Sequence, residues 1–202
     1  MGIKERKERE KARLREQIIE AATTLFLQHG YQETSIRMIA HEIEYSPTTI
    51  YSHFQDKDML FQEIMMRAFG LFFSFLAPEQ AIEDPMERLQ AMNRAYMRFA
   101  FAHPAYYDLM FVIREPMKVP SQEGSFEMGK KSHDFLTETV AACIKAGYFK
   151  GQDAEALALT IWASVHGLIA LKGRLRLEMY TKEKQEALME AGLKALHQLM
   201  ER

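Results

Sequence analysis

TSIRMIAHEIEYSPTTIYSHFQDK, residues 34–57, reads as two short helices joined by a tight turn. Ile36, Ile39, Ala40 and Ile43 recur at i, i+3, i+4 and i+7, which gives the first helix one buried face. Thr34 is the expected N-cap of that helix, and Glu44-Tyr45 is the break after it. Ser46-Pro47 then restarts the chain. Serine can accept from an orphan amide, and proline gives up nothing at the first helical position. With Ile50 and Phe54 turned inward, Thr48, Thr49, Tyr51, Ser52 and His53 are left facing out. A second helix that presents small polar groups after a tight turn is the helix-turn-helix arrangement, whose second helix enters the DNA major groove.

The order Thr34-Ser35-Ile36-Arg37, Ile39-Ala40, Ser46, Thr49-Ile50-Tyr51, Phe54 and Lys57 resembles the TetR family of bacterial transcription regulators. The resemblance implies an all-α chain with an N-terminal three-helix DNA-binding domain, residues 1–54, and an effector-binding and dimerisation domain, residues 55–202. The family commonly carries a glycine in the turn where this chain has Glu44. If that position is left-handed, the non-glycine residue costs on the order of 1 kcal/mol.

A formal net charge of −2 over 202 residues excludes a generally basic nucleic-acid coat, so DNA binding has to come from a local patch. One cysteine, Cys143, excludes a disulfide framework and suits a reducing compartment; set among Ala141, Ala142 and Ile144 it reads as a core residue. No stretch approaches the roughly 18 apolar residues of a membrane span, and the charged N-terminus is no secretory signal, so a cytoplasmic location is expected. No cofactor is expected. No metal-ligand spacing, glycine-rich phosphate loop or nucleophile–base pair stands out, which argues against an enzyme.

Residues 2–16 carry seven Lys or Arg against four Glu. This run is either a solvated helix face or an arm of Lys4, Arg6, Lys7, Arg9, Lys11, Arg13 and Arg15 lying on DNA phosphate; the resemblance favours the arm. Leu14, Ile18, Ala22, Leu25 and Phe26 form a helical stripe that Gly30 ends. A long fourth helix capped by Asp56 follows, with Leu60, Ile64, Ala68, Leu71, Phe72 and Phe75 along one side. Pro85 and Pro104 open two further helices. The stretch 118–129 reads as polar and least ordered. Helices then run over about 132–146, about 154–179 with a break at Gly173, and about 182–200. The total is about nine helices and no sheet.

For base reading the candidates are Thr48, Thr49 and Ser52, with Arg37 reaching in from the preceding helix, since arginine offers two donors to guanine and threonine a methyl to thymine. Thr34, Tyr51 and Lys57 are candidates for phosphate contact, and His53 for either phosphate contact or packing; for Tyr51 and Lys57 the resemblance supports the role. So small a reading set implies a homodimer on a palindromic double-stranded operator. Tyr96, Phe99, Tyr106, Tyr107, Met110, Phe111, Trp162 and His166 either line an apolar effector cavity with a few polar tips or fill a helical core. The segment Trp162-Ala163-Ser164-Val165-His166-Gly167-Leu168 resembles one branch of TetR-type ligand domains. Wide apolar faces and the glycines at 167 and 192 let Leu168, Leu188, Gly192, Leu196 and Leu199 either form a dimer interface or pack only within the chain; the resemblance favours the dimer. The expected function is a repressor released by a small lipophilic effector. The alternative is an architectural or division-control protein that binds DNA without an effector and works through a protein partner.

Overall fold

The computed structural model describes residues 2–113 and 125–200, and among them every regular element is a helix. In order these are α1 (Ile3–Glu33), α2 (Ile36–Glu42), α3 (Pro47–Tyr51), α4 (Lys57–Leu76), a 3₁₀ turn (Ala77–Ala81), α5 (Pro85–Ala102), α6 (Pro104–Phe111), α7 (Ser125–Lys145), α8 (Ala154–Gly173) and α9 (Lys182–Met200). The all-α class read from the sequence is the class found. Packing divides the chain into two compact units, Met1–Phe69 with Ala105–Phe126, and Gly70–Pro104 with Glu127–Arg202. The division falls inside α4 and not at residue 54, because Leu60, Phe61, Ile64 and Met65 are buried with the helix-turn-helix core.

In the first unit, α1, α2 and α3 close around Ile18, Ala22, Phe26, Ile39, Ala40, Ile50 and Phe54, all buried. Phe26 meets Phe61 edge-on, with ring centroids 5.4 Å apart, and Tyr31 meets Phe61 at 4.9 Å. Such T-shaped pairs add to plain area burial. Gly30, at φ 78°, breaks the helical path of α1 near its end, as the sequence implied. At its other end α1 starts at Ile3, so the charged run 2–16 is helix from its second residue; the Gly2 amide donates to Glu5 at 3.0 Å.

The second unit packs α5 and α9 against α8. Asp84 caps α5, accepting from the amides of Met86 and Glu87, with Pro85 at the first helical position. Asp153 caps α8 through the amide of Ala156. Cys143 is fully buried here, and burial, with Asp84 next in effect, pushes its thiol up to about 11. That is an inert core thiol, since only the thiolate reacts.

Three sequence expectations change. The N-cap of α2 is Ser35, whose hydroxyl accepts from Met38, and Thr34 is turned inward. α7 begins at Ser125, so of the stretch 118–129 residues 118–124 lie outside the described residues and 125–129 are helical. Two helical stretches, Lys57–Ala81 with mean hydropathy 1.4 and Ala154–Gly173 with 1.5, are long and apolar enough to cross a membrane by length and composition. Counting unbroken apolar runs missed them because isolated polar residues interrupt both. In Lys57–Ala81 the apolar residues Leu60, Ile64, Ala68, Phe72 and Leu76 are core residues of the protein.

Candidate nucleic-acid interface

The turn between α2 and α3 is closed by two hydrogen bonds: the Glu44 amide donates to His41 at 3.1 Å, and the Tyr45 amide to Ala40 at 2.9 Å. This pairing is a Schellman motif, whose C′ residue is left-handed. Glu44 holds that position at φ 59°, the strained place at which the family commonly has glycine. Ser46 then caps α3 by accepting from Thr49, and Pro47 begins it. Ile50, with no exposed surface, and Phe54 anchor the helix from beneath.

The opposite face of α3 is open. Thr48, Tyr51 and Ser52 are exposed, Tyr51 to 54%, and Arg37 on α2 is exposed as well. The Thr49 hydroxyl lies 2.9 Å from that of Ser46, and the Ser52 hydroxyl donates to the Thr49 carbonyl at 2.6 Å. Both oxygens keep lone pairs, so they can accept from adenine N6 or cytosine N4. His53 is half-buried; burial, then Lys11 and Arg15, hold its imidazole below the ordinary value, and its Nδ1 has no hydrogen-bond partner. A neutral ring can still donate one N–H to a phosphate. Glu10, Lys11, Leu14, Tyr45, Ser52 and His53 line a recess of about 500 Å³ beside α3.

Two expected phosphate contacts are engaged elsewhere. Thr34 is 1% exposed, and its hydroxyl sits 2.8 Å from the Gly30 carbonyl and 3.1 Å from that of Leu25. Lys57 points back to the end of α1: its ammonium donates to the carbonyls of Tyr31 at 2.7 Å, Thr34 at 2.9 Å and Gln32 at 3.4 Å, and lies 4.1 Å from the centroid of the Tyr31 ring. These carbonyls are left over where Gly30 breaks the helix, and a cation suits that negative end. Of the four phosphate candidates, Tyr51 and His53 remain at the α3 surface.

Residues 18–64, which contain this whole arrangement, match the model of "Bacterial regulatory proteins, tetR family", and residues 89–196, just over half of the chain, match "Tetracyclin repressor-like, C-terminal domain". The chain belongs to the TetR family. Among its relatives, the HTH-type transcriptional regulator HbdR of Aromatoleum sp. (strain CIB) is 26% identical over 188 residues, 90% of this chain and 81% of HbdR. TcmR of Streptomyces glaucescens, also an HTH-type transcriptional regulator, is 31% identical over 96 residues, 48% of this chain and 41% of TcmR. The crystal structure of the TetR family transcriptional regulator PfmR from Thermus thermophilus has the same fold, with a TM-score of 0.71 at 19% identity, covering 92% of this chain and 99% of that one. The chain is thus a TetR-family transcription regulator, a class of DNA-binding proteins and not of enzymes.

The aromatic candidates are divided between the two units. Tyr106, Tyr107, Met110 and Phe111 belong to the first unit: Tyr106 and Met110 pack on the helix-turn-helix core, and Phe111 meets Phe69 edge-on at 6.1 Å. Tyr96, Phe99, Trp162 and His166 belong to the second. There Phe99 is fully buried among Phe72, Phe75 and His103, and Trp162 meets His133 at 6.0 Å. Phe72 and Phe75 were legible as one side of α4, whereas His103 and His133 carried no signal of their own. Leu168 packs within the chain, 3.2 Å from where a Cβ on Gly192 would stand. Leu188 is exposed and Leu196 half-buried, and the side chain of Leu199 lies outside the described residues.

Tyr96 and His166 are brought together, the Tyr96 hydroxyl lying 3.0 Å from His166 Nδ1. Burial holds the His166 imidazole below its ordinary 6.5. The folded chain therefore binds this proton less readily than the unfolded chain, so the contribution is complete above about pH 6.5 and is lost as pH falls through that value towards the folded one. Ring titration by NMR is expected to place His166 below 6.5, and His166→Gln to lessen the acid sensitivity of the second unit. A titration midpoint at or above 6.5 would contradict this.

Proposed function

We propose that the chain acts as a homodimeric repressor that binds a palindromic operator and is released by a small lipophilic effector. The observation that carries this reading is the open face of α3, where Thr48, Tyr51 and Ser52 stand over the buried Ile50 and Phe54, with Arg37 exposed on the preceding helix α2. That face supplies hydroxyls and one guanidinium for base edges and a phenol for phosphate. Operator binding is assigned to residues 1–54, and effector binding and dimerisation to 55–202. With no strong base reader besides Arg37, one subunit reads too little, and two half-sites restore specificity. DNA binding places the protein in the cytoplasm.

α8 supports the dimer. Leu159, Ala163, Gly167 and Leu171 recur every fourth residue on one side of it; Leu159 is 55% exposed, and a Cβ at Gly167 would meet nothing within 4 Å. Only 28% of the most apolar stretch of α8 is buried within the chain. An apolar helix face with small residues at its centre suits close packing against a second copy. Gly167→Leu is therefore expected to leave the fold intact but to wedge the two copies apart, weakening self-association about thirtyfold, as for an overpacking cost of about 2 kcal/mol. Sedimentation velocity over a concentration series checks this, and an unchanged dimer would move the interface away from Gly167.

In the second unit the effector reading rests on the aromatic content around Tyr96, Phe99 and Trp162, and on the Tyr96–His166 pair as a neutral polar point. Such surroundings favour an uncharged or weakly polar ligand over a strong ion. Because α4 carries residues of both units, a displacement of its second half is passed along a continuous helix, which changes the spacing of the two recognition helices. The test is selection from random duplex DNA with the purified full chain at two salt concentrations. Enrichment of a palindrome, lost in Tyr51→Ala, would support the reading, and enrichment of nothing above background would reject it.

A further inference from the structure

We infer that Arg15, held in place by Glu63, is a positioning residue that fixes the recognition helix α3 against α1 and α4 and thereby sets the ratio of operator to nonspecific DNA affinity. This inference rests on the operator-binding reading above. By sequence Arg15 belongs to the basic run that reads as either a solvated helix face or an arm on phosphate, but its side chain turns inward. One guanidinium nitrogen donates to the His53 carbonyl at 3.2 Å, just past the end of α3, and the group lies 4.3 Å from the centroid of the Phe54 ring. Its other terminal nitrogen is 3.3 Å from a Glu63 oxygen on α4. Glu63 in turn accepts from Arg67 at 2.9 Å, and Arg67 returns to Glu16 on α1 at 2.5 Å.

The four side chains alternate in charge and tie α1 to α4 at two successive points, residues 15 and 16 against 63 and 67. α3 has only five residues, a little over one turn, so it carries almost no orientation of its own. Its start is fixed by the Ser46 cap and the turn. Its end is fixed by Ile50 and Phe54 beneath and by Arg15 at the His53 carbonyl. Arginine suits the task because its rigid planar fork can meet a carbonyl and a carboxylate at once while stacking on a ring. Arg15 and Glu63 are both half-buried, so solvent screens this pair less than a fully exposed one.

A helix that is held but slightly rotated still neutralises phosphates, whereas base-edge contacts need the correct angle. Loss of the clamp therefore costs operator affinity and spares nonspecific affinity. Glu63→Gln separates this from bulk electrostatics, because removing a negative charge should by itself tighten binding to any DNA. The experiment measures affinity for the palindrome enriched by the wild-type chain and for a scrambled duplex of equal length, by fluorescence anisotropy at one fixed salt concentration. Glu63→Gln is expected to lower the operator-to-scrambled ratio roughly tenfold while scrambled-duplex affinity holds or rises. Arg15→Lys keeps the charge, loses the fork, and is expected to lower the ratio as well; it carries the test if circular dichroism finds Glu63→Gln unfolded. Ratios unchanged in the folded variants overturn the inference alone. A wild-type chain that enriches no palindrome overturns the operator reading and this inference with it.

Discussion

Lys57→Met is expected to lower the unfolding free energy of the first unit by about 2–4 kcal/mol, since hydrogen bonds to a charged group contribute roughly 1.5–3 kcal/mol and a cation over an aromatic ring about 0.5–1. The methionine keeps most of the apolar stem and removes the ammonium. Gly30 interrupts α1, and the segment after it leads straight into α2, so the carbonyls of Tyr31, Gln32 and Thr34 have to be satisfied by something other than the helix ladder. Lys57 meets all three, and the Thr34 hydroxyl ties the same segment back to Gly30 and Leu25. Thermal unfolding, together with amide exchange at Ile39, Ala40 and Ile50, reads the loss. The same variant separates two roles for this lysine. If it holds the end of α1, operator affinity falls with the population of folded unit, and the slope of log affinity against log salt is unchanged. If it neutralises a phosphate, that slope shrinks by about 0.9 per subunit. The geometry favours the first outcome.

The contrast between Ser46 and Lys57 marks where sequence reading stops. Ser46-Pro47 could be read as a helix start because the cap and its partner Thr49 are three residues apart, within the range over which local rules operate. Gly30 as a stop and Ile50 and Phe54 as the inward face are local in the same sense, whereas Glu44 stands out only against the glycine that the family commonly carries there. Lys57 finds its carbonyls 23 to 26 residues back, Arg15 finds the His53 carbonyl 38 residues on, and Arg67 finds Glu16 across 51. A basic residue near a DNA-binding helix reads as a phosphate contact until tertiary packing turns it inward. α6 illustrates the same limit for apolar residues. Its tyrosines are of the kind that line cavities, yet Tyr106 packs on the helix-turn-helix core, and periodicity cannot say which neighbour a face will meet.

Phe99→Ala is expected to cost about 3–5 kcal/mol of second-unit stability, the range for truncating a fully buried aromatic side chain. The position is closed on every side for which a partner is known: ring centroids of Phe72, Phe75 and His103 stand 5.0, 5.7 and 5.8 Å away, and no surface of Phe99 is exposed. Tilted and edge-on pairs at these distances each add roughly 0.5–1.5 kcal/mol beyond area burial. The variant also tests whether Phe99 fills the core or lines the effector site. A residue on a cavity wall has open space on one side and can be cut back at small cost, because the site already lacks neighbours there. A residue inside close-packed surroundings leaves a void that its neighbours only partly collapse into. A loss near 4 kcal/mol in chemical denaturation, with most of it recovered in Phe99→Leu, would assign Phe99 to the core and leave Tyr96, Trp162 and His166 as the effector candidates of the second unit. A loss below about 1 kcal/mol would mean that the ring borders empty volume and return it to the effector set.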